Sequence, residues 1–247
     1  MLWLMLHTKR RSNLVATASV FAGLFALLGA IPVSPYVVGP GYLPANKVVA
    51  PLAGMLFGPS AGGLSVVIGS LIDFAYKGQV RYDTLFADLA VTVTAALAYT
   101  GRRRAAFALP LLLLVWFSFD PLSVVLIQVA GVQVPFAWMH IISLAAFGAA
   151  LLMESRGALG KLGPAFVGAT SFASLMCGQI AGTLVGETLV RLNGAGGLTA
   201  EGWQGLMLLF FYRYPLERAF YTVAAVLVAL PVLRSLSKMR KSTPIAS

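Results

Sequence analysis

The chain has one cysteine, Cys177, and two histidines, His7 and His140. A lone cysteine excludes an intrachain disulfide and any multi-cysteine metal site; two histidines exclude a multi-histidine metal or haem centre. No Asp-x-x-Asp pair and no Walker motif occurs, so any use of ATP has to come from another chain. "GPSAG" at 58–62 matches Gly-x-Ser-x-Gly. The strained elbow that activates such a serine needs a preceding strand and His and acid partners, whereas this one lies in a turn between two apolar runs. Neither an enzymatic activity nor a cofactor or metal is therefore expected. Charge is scarce too, at 11% of 247 residues, and only eight residues are acidic.

What fills the chain instead is apolar. Hydrophobic residues make up 59% and the mean hydropathy is +0.86, values typical of polytopic membrane proteins rather than soluble domains. The formal net charge of +10 does not point to nucleic acid, because the basic residues sit in short clusters between apolar stretches instead of on one face. A membrane-spanning helix takes about 20 apolar residues. By that measure there are eight candidates, at roughly 13–31, 45–58, 60–76, 84–100, 105–119, 135–153, 164–190 and 214–233. The second and fifth are short enough to be partial or re-entrant passes. Residues 120–134, bracketed by Pro121 and Pro135, read as an interfacial or re-entrant loop. Cys177 falls inside an apolar run, where it reads as a small packing residue.

Charge placement orients these segments. With eight passes and a cytoplasmic N-terminus, Lys9 to Arg11, Arg102 to Arg104, Arg156, Lys161 and the bases from Arg234 to Lys241 all fall inside, joined by Glu154 alone among the acids. Lys and Arg bias toward cytoplasmic loops is what sets topology. The expectation is an all-α polytopic membrane protein of six to eight transmembrane helices, both termini cytoplasmic, forming one integral domain over 1–247 in the cell membrane. The N-terminal apolar run has no small-residue cleavage site before Pro32 and reads as an uncleaved first helix.

Small residues recur every fourth position: Ala18, Ala22 and Ala26; Gly54, Gly58 and Gly62; Gly178, Gly182 and Gly186. In lipid, such faces let backbones approach and gain dispersion contacts. Gly58 and Pro59 predict a tight cytoplasmic turn between the second and third runs. Together, the alanine face, "GPGYLPANKVVAPLAGMLFGP" at 39–59 and "AGGLSVVIGSLIDF" at 61–74 resemble the substrate-binding S component of energy-coupling factor vitamin transporters, over the first third of the chain. The resemblance implies uptake of a small, vitamin-like solute with a transmembrane coupling subunit and ATPase subunits as partners. It also implies that Ala18, Ala22 and Ala26 dock on the coupling subunit. A non-transporting subunit of a larger membrane complex and a stand-alone carrier are the alternatives.

The residues themselves point to a binding site at the outer end. Seven acids and the bases Lys47, Lys77, Arg81, Arg191, Arg213 and Arg218 gather there, and ionisable residues within a membrane face a cavity or a partner. Asp73, Asp88, Glu187 and Glu217 are the candidate intramembrane acids. Glu187 with Arg191, and Arg213 with Glu217, are four apart; each pair either bridges internally or meets a solute. Tyr36, Tyr42, Asn46, Gln128, Trp138, His140, Trp203 and Tyr212 lie on the same side, as an aromatic belt or as the wall of a slot for a planar ligand. The first outer loop, 32–46, is rich in Pro and Gly and reads as a lid. Tyr42, Asn46, Lys47, Trp203, Arg213 and Glu217 are the expected substrate contacts.

Overall fold

The computed structural model describes residues 11–35, 42–193 and 199–242. Lys9, Arg10, Tyr36, Gly39 and Gly41 lie outside the described residues, as does the tip of the expected lid. Seven helices are described: α1 (Arg11–Gly29), α2 (Asn46–Lys77), α3 (Tyr82–Tyr99), α4 (Arg103–Phe119), α5 (Trp138–Ser155), α6 (Pro164–Asn193) and α7 (Ala200–Ser242). Two antiparallel hairpins complete the fold, β1 (Pro32–Pro35) with β2 (Tyr42–Pro44) and β3 (Leu126–Val129) with β4 (Val132–Pro135). The chain is an all-α membrane protein, in which α2, α5, α6 and α7 are each long and apolar enough to cross a bilayer.

The helix α2 is not one rod. At Gly58 the backbone takes φ 76° and ψ −177°, a conformation essentially reserved for glycine, and Pro59 follows. An unbroken helix would separate Asn46 from Asp73 by about 40 Å at 1.5 Å per residue. Both instead flank Gly29: a Cβ built there would lie 2.7 Å from Asp73 Oδ1 and 3.3 Å from Asn46 Nδ2. The two halves therefore run antiparallel, with Gly62 against the carbonyl of Ala53 near the turn. Counting those halves separately reproduces the eight apolar runs of the sequence. The first half spans only about 18 Å, too short to cross alone. Its flanks are buried by neighbours, with Val49, Ala50, Ala53 and Met55 all in the core.

Small residues bring the rods together. Gly54 packs against the backbone of Thr92 in α3, and Gly178 of α6 meets Ala87 and Val91 from the other side, so α3 is held between α2 and α6. A carbonyl of α1 at Ala22 lies over Gly69 of α2. Ala18 and Ala22 are accordingly buried inside the chain, with α2 packed over Ala22, while Ala26 is half-buried. Residues 120–134, read as an interfacial or re-entrant loop, instead contain most of the β3–β4 hairpin. Its two-residue turn, Ala130 and Gly131, has positive φ at both positions, the geometry that matches strand twist.

Candidate functional site

Charge divides the molecule into two ends. At one, Arg103 pairs with Glu154, and Lys161 and Tyr99 exchange hydrogen bonds in which Lys161 Nζ donates to the Tyr99 carbonyl and Tyr99 Oη to the Lys161 carbonyl. The Gly58 turn lies toward this basic end, since Phe57 shares a core cluster with Leu162, Leu233 and Leu236. The opposite, acid-rich end collects the last turn of α1, the β1–β2 hairpin, both termini of α2, the start of α3, and the facing stretches of α6 and α7.

Two adjoining cavities open there, sharing Arg81, Thr84 and Asp88 in their walls. The first, of about 390 Å³, lies between Gly29, Pro32, Tyr42, Asn46, Ser70, Asp73 and Lys77. The second, of about 250 Å³, is walled by Leu43, Lys47, Gln179, Trp203, Phe210, Tyr214, Glu217 and Arg218, among others. Jointly they reach the size of small-molecule pockets, about 300–1,000 Å³. The β1–β2 hairpin contributes to both, through Tyr42 and Pro44 on one side and Leu43 on the other.

Between the cavities lies a buried ion pair. Lys47 Nζ donates to both carboxylate oxygens of Asp88 at 2.6 Å, and the two residues are 4% and 1% exposed. Lys47 enters from the first turn of α2 and Asp88 from the second turn of α3, which the Gly54–Thr92 contact holds close. In the first cavity Lys77 Nζ donates to Asp73 Oδ2 and to the Gly29 carbonyl, both at 2.8 Å. On residues of that wall, three buried polar atoms have no hydrogen-bond partner among the described residues: Asn46 Oδ1, Ser70 Oγ and Asp73 Oδ1. Most buried polar groups in folded proteins are paired, so three such atoms on residues that line one cavity are notable.

The expected contacts separate on inspection. Tyr42 and Asn46 line the first cavity; Lys47, Trp203 and Glu217 line the second; Arg213 lines neither. Arg213 Nε donates to Glu217 Oε1 at 2.6 Å and its Nη2 to Ser34 Oγ at 2.7 Å, while Ser34 Oγ donates to the same Glu217 oxygen. The Arg213–Glu217 spacing of four thus makes a bridge that ties β1 to α7. The Glu187–Arg191 spacing does not: Arg191 pairs with Asp120, and Glu187 accepts from Ser123 Oγ at 3.0 Å and from Trp203 Nε1 at 3.4 Å. Trp203 is therefore held by its indole nitrogen, with its ring against Gly186. His140 is buried beside Tyr214 and lines neither cavity.

Ser70, Gln179 and Arg218 were not among the expected contacts, yet all three line the cavities. Ser70 lies one turn before Asp73 on α2, a spacing of three that places both on one helix face. For Gln179 no sequence signal exists, since a single amide in an apolar helix has no pattern.

The fold and the site define a class: an all-helical, membrane-embedded protein with paired cavities at its acid-rich end. No family model matches the sequence, and neither a curated protein nor a solved structure does.

Proposed function

We propose that the chain binds a small polar solute in the paired cavities and serves its uptake across the cell membrane. The observation that carries this reading is the trio Asn46 Oδ1, Ser70 Oγ and Asp73 Oδ1, buried and unpartnered among the described residues, on three residues that line a 390 Å³ cavity. Each unsatisfied buried group costs about 1–3 kcal/mol, a cost that a ligand bearing N–H or O–H donors removes. The Lys and Arg bias makes the basic end cytoplasmic and the cavities external, the side from which an imported solute arrives. Within this reading the chain is the substrate-specific component of an ATP-driven complex, with a coupling subunit and ATPases supplying the energy. The likeness of its first third to such components and its lack of a nucleotide-binding motif support that assignment. Of the alanines expected to dock on the coupling subunit, Ala18 and Ala22 are buried against the chain itself and Ala26 is half-buried.

The test is mass spectrometry of small molecules released from the purified protein, followed by titration of the released molecule against wild type, Asn46→Ala and Asp73→Asn. Stoichiometric release from wild type, and affinity lowered about 10- to 100-fold in the variants at preserved thermal stability, are expected for lost hydrogen bonds to buried groups. Wild-type protein that carries no solute, and binds none from a metabolite extract, would overturn the proposal.

A further inference from the structure

The bases of the acid-rich end are almost all neutralised within the chain. Lys47 faces Asp88, Lys77 faces Asp73, Arg81 faces Asp83, Arg191 faces Asp120 and Arg213 faces Glu217. Arg218 is the exception: among the described residues no carboxylate forms an ion pair with it, although it lines the 250 Å³ cavity. Its Nε donates to Gln179 Oε1 at 2.9 Å, which fixes the plane of the guanidinium from α6. That bond uses the Nε edge of the group; the edge formed by the two terminal nitrogens is also able to take a carboxylate through two parallel N–H···O bonds. Trp203 and Phe210 supply aromatic wall in the same cavity.

A buried or half-buried cation within the membrane region is costly unless a counter-charge meets it. The neighbouring acids are engaged elsewhere: both oxygens of Asp88 accept from Lys47, Glu217 Oε1 accepts from Arg213 and Ser34, and among the described residues neither acid forms an ion pair with Arg218. Resting on the solute-binding reading above, we infer that the solute is a small organic monoanion whose carboxylate pairs with Arg218 while its apolar or aromatic body lies against Trp203 and Phe210. Arg218 is the single base of this end that has no ion-pair partner among the described residues, and it matches one carboxylate. A phosphate monoester carries about −1.5 to −2 at neutral pH and would call for a second free cation.

The experiment begins with the molecules released from purified full-length protein, identified by mass and by charge state. The identified molecule and its neutral methyl ester are then titrated against wild type, Arg218→Gln and Arg218→Lys, with thermal stability measured in parallel. The expected result is a carboxylic acid that binds Arg218→Gln at least about 100-fold more weakly than wild type, the loss typical of removing one partner from a buried charge pair. Arg218→Lys, which keeps the charge and loses the fork, should fall about tenfold, between the two. The methyl ester should bind weakly and equally to wild type and to Arg218→Gln. A neutral, cationic or phosphorylated solute overturns this inference and leaves solute binding standing, as does an acid whose affinity is unchanged in both variants. Should Arg218→Gln not fold, unchanged affinity in Arg218→Lys is sufficient to overturn it. Absence of any bound solute removes the solute-binding reading itself.

Discussion

Lys47 and Asp88 show how much a single residue depends on its partner at this depth. Alone, each would be an uncompensated charge among apolar helices; together they satisfy one another at 2.6 Å. Removing one partner of a buried pair costs about 3–5 kcal/mol, whereas replacing both with apolar residues of similar size is often neutral or better. Asp88→Asn should therefore lower the thermal stability of the purified protein sharply, and Lys47→Met combined with Asp88→Leu should restore most of it. Comparable unfolding temperatures for Asp88→Asn and wild type would show that the pair contributes little. Arg213 belongs to the same scale with a different outcome, because its charge is spent on Glu217 and on Ser34, fastening the β1–β2 hairpin to α7.

At the scale of the element, glycine decides how closely the helices pack. A Cβ added at Gly54 would collide with the Thr92 carbonyl oxygen, a backbone atom that can move only if α2 and α3 separate. Overpacking of this kind costs about 1–3 kcal/mol. Gly23, by contrast, has nothing within 4 Å of the added atom and sits mid-helix on an exposed face of α1. Gly54→Ala should lower the unfolding temperature, while Gly23→Ala should leave it unchanged or raise it slightly through better helix propensity. Equal effects at both sites would mean that the α2–α3 contact does not limit stability. The burial of Ala22 against Gly69 belongs here as well, since a bulky side chain at that position would separate α1 from α2 inside the chain.

The whole molecule is polarised along its helices, with Arg103, Arg156 and Lys161 at one end and the cavities at the other. α7, of 43 residues, is about 64 Å long and exceeds a hydrocarbon core of about 30 Å, so its ends reach into both aqueous layers. The expected orientation places the basic end in the cytoplasm. In a Cys177→Ala background, Gln133→Cys on the exposed β4 strand should react with a membrane-impermeant maleimide in intact cells. Ala158→Cys, in the exposed connection between α5 and α6, should react only after permeabilisation. The reverse pattern would put the cavities on the cytoplasmic side and contradict a role in capture from outside.

Much of the architecture follows from local sequence. Apolar runs of membrane length specify helices because in lipid every backbone polar group has to be satisfied within the segment, and Gly58 followed by Pro59 specifies the reversal within α2 because only glycine takes that backbone conformation. The Arg213–Glu217 bridge is one of the two alternatives that its spacing of four allows, since the helix brings the two side chains together. Pairings across helices are not fixed by spacing. Lys47 meets Asp88 from 41 positions away, Arg191 turns from Glu187 to Asp120, and a serine 183 positions from Glu217 completes the Arg213 bridge. Ion pairing is short-ranged and indifferent to chain separation, so it is the packing of α3 between α2 and α6, set by close contact at Gly54 and Gly178, that decides which charges are satisfied. Among the described residues, that packing leaves Arg218 without an ion pair and puts Asn46, Ser70 and Asp73 in the lining of one cavity.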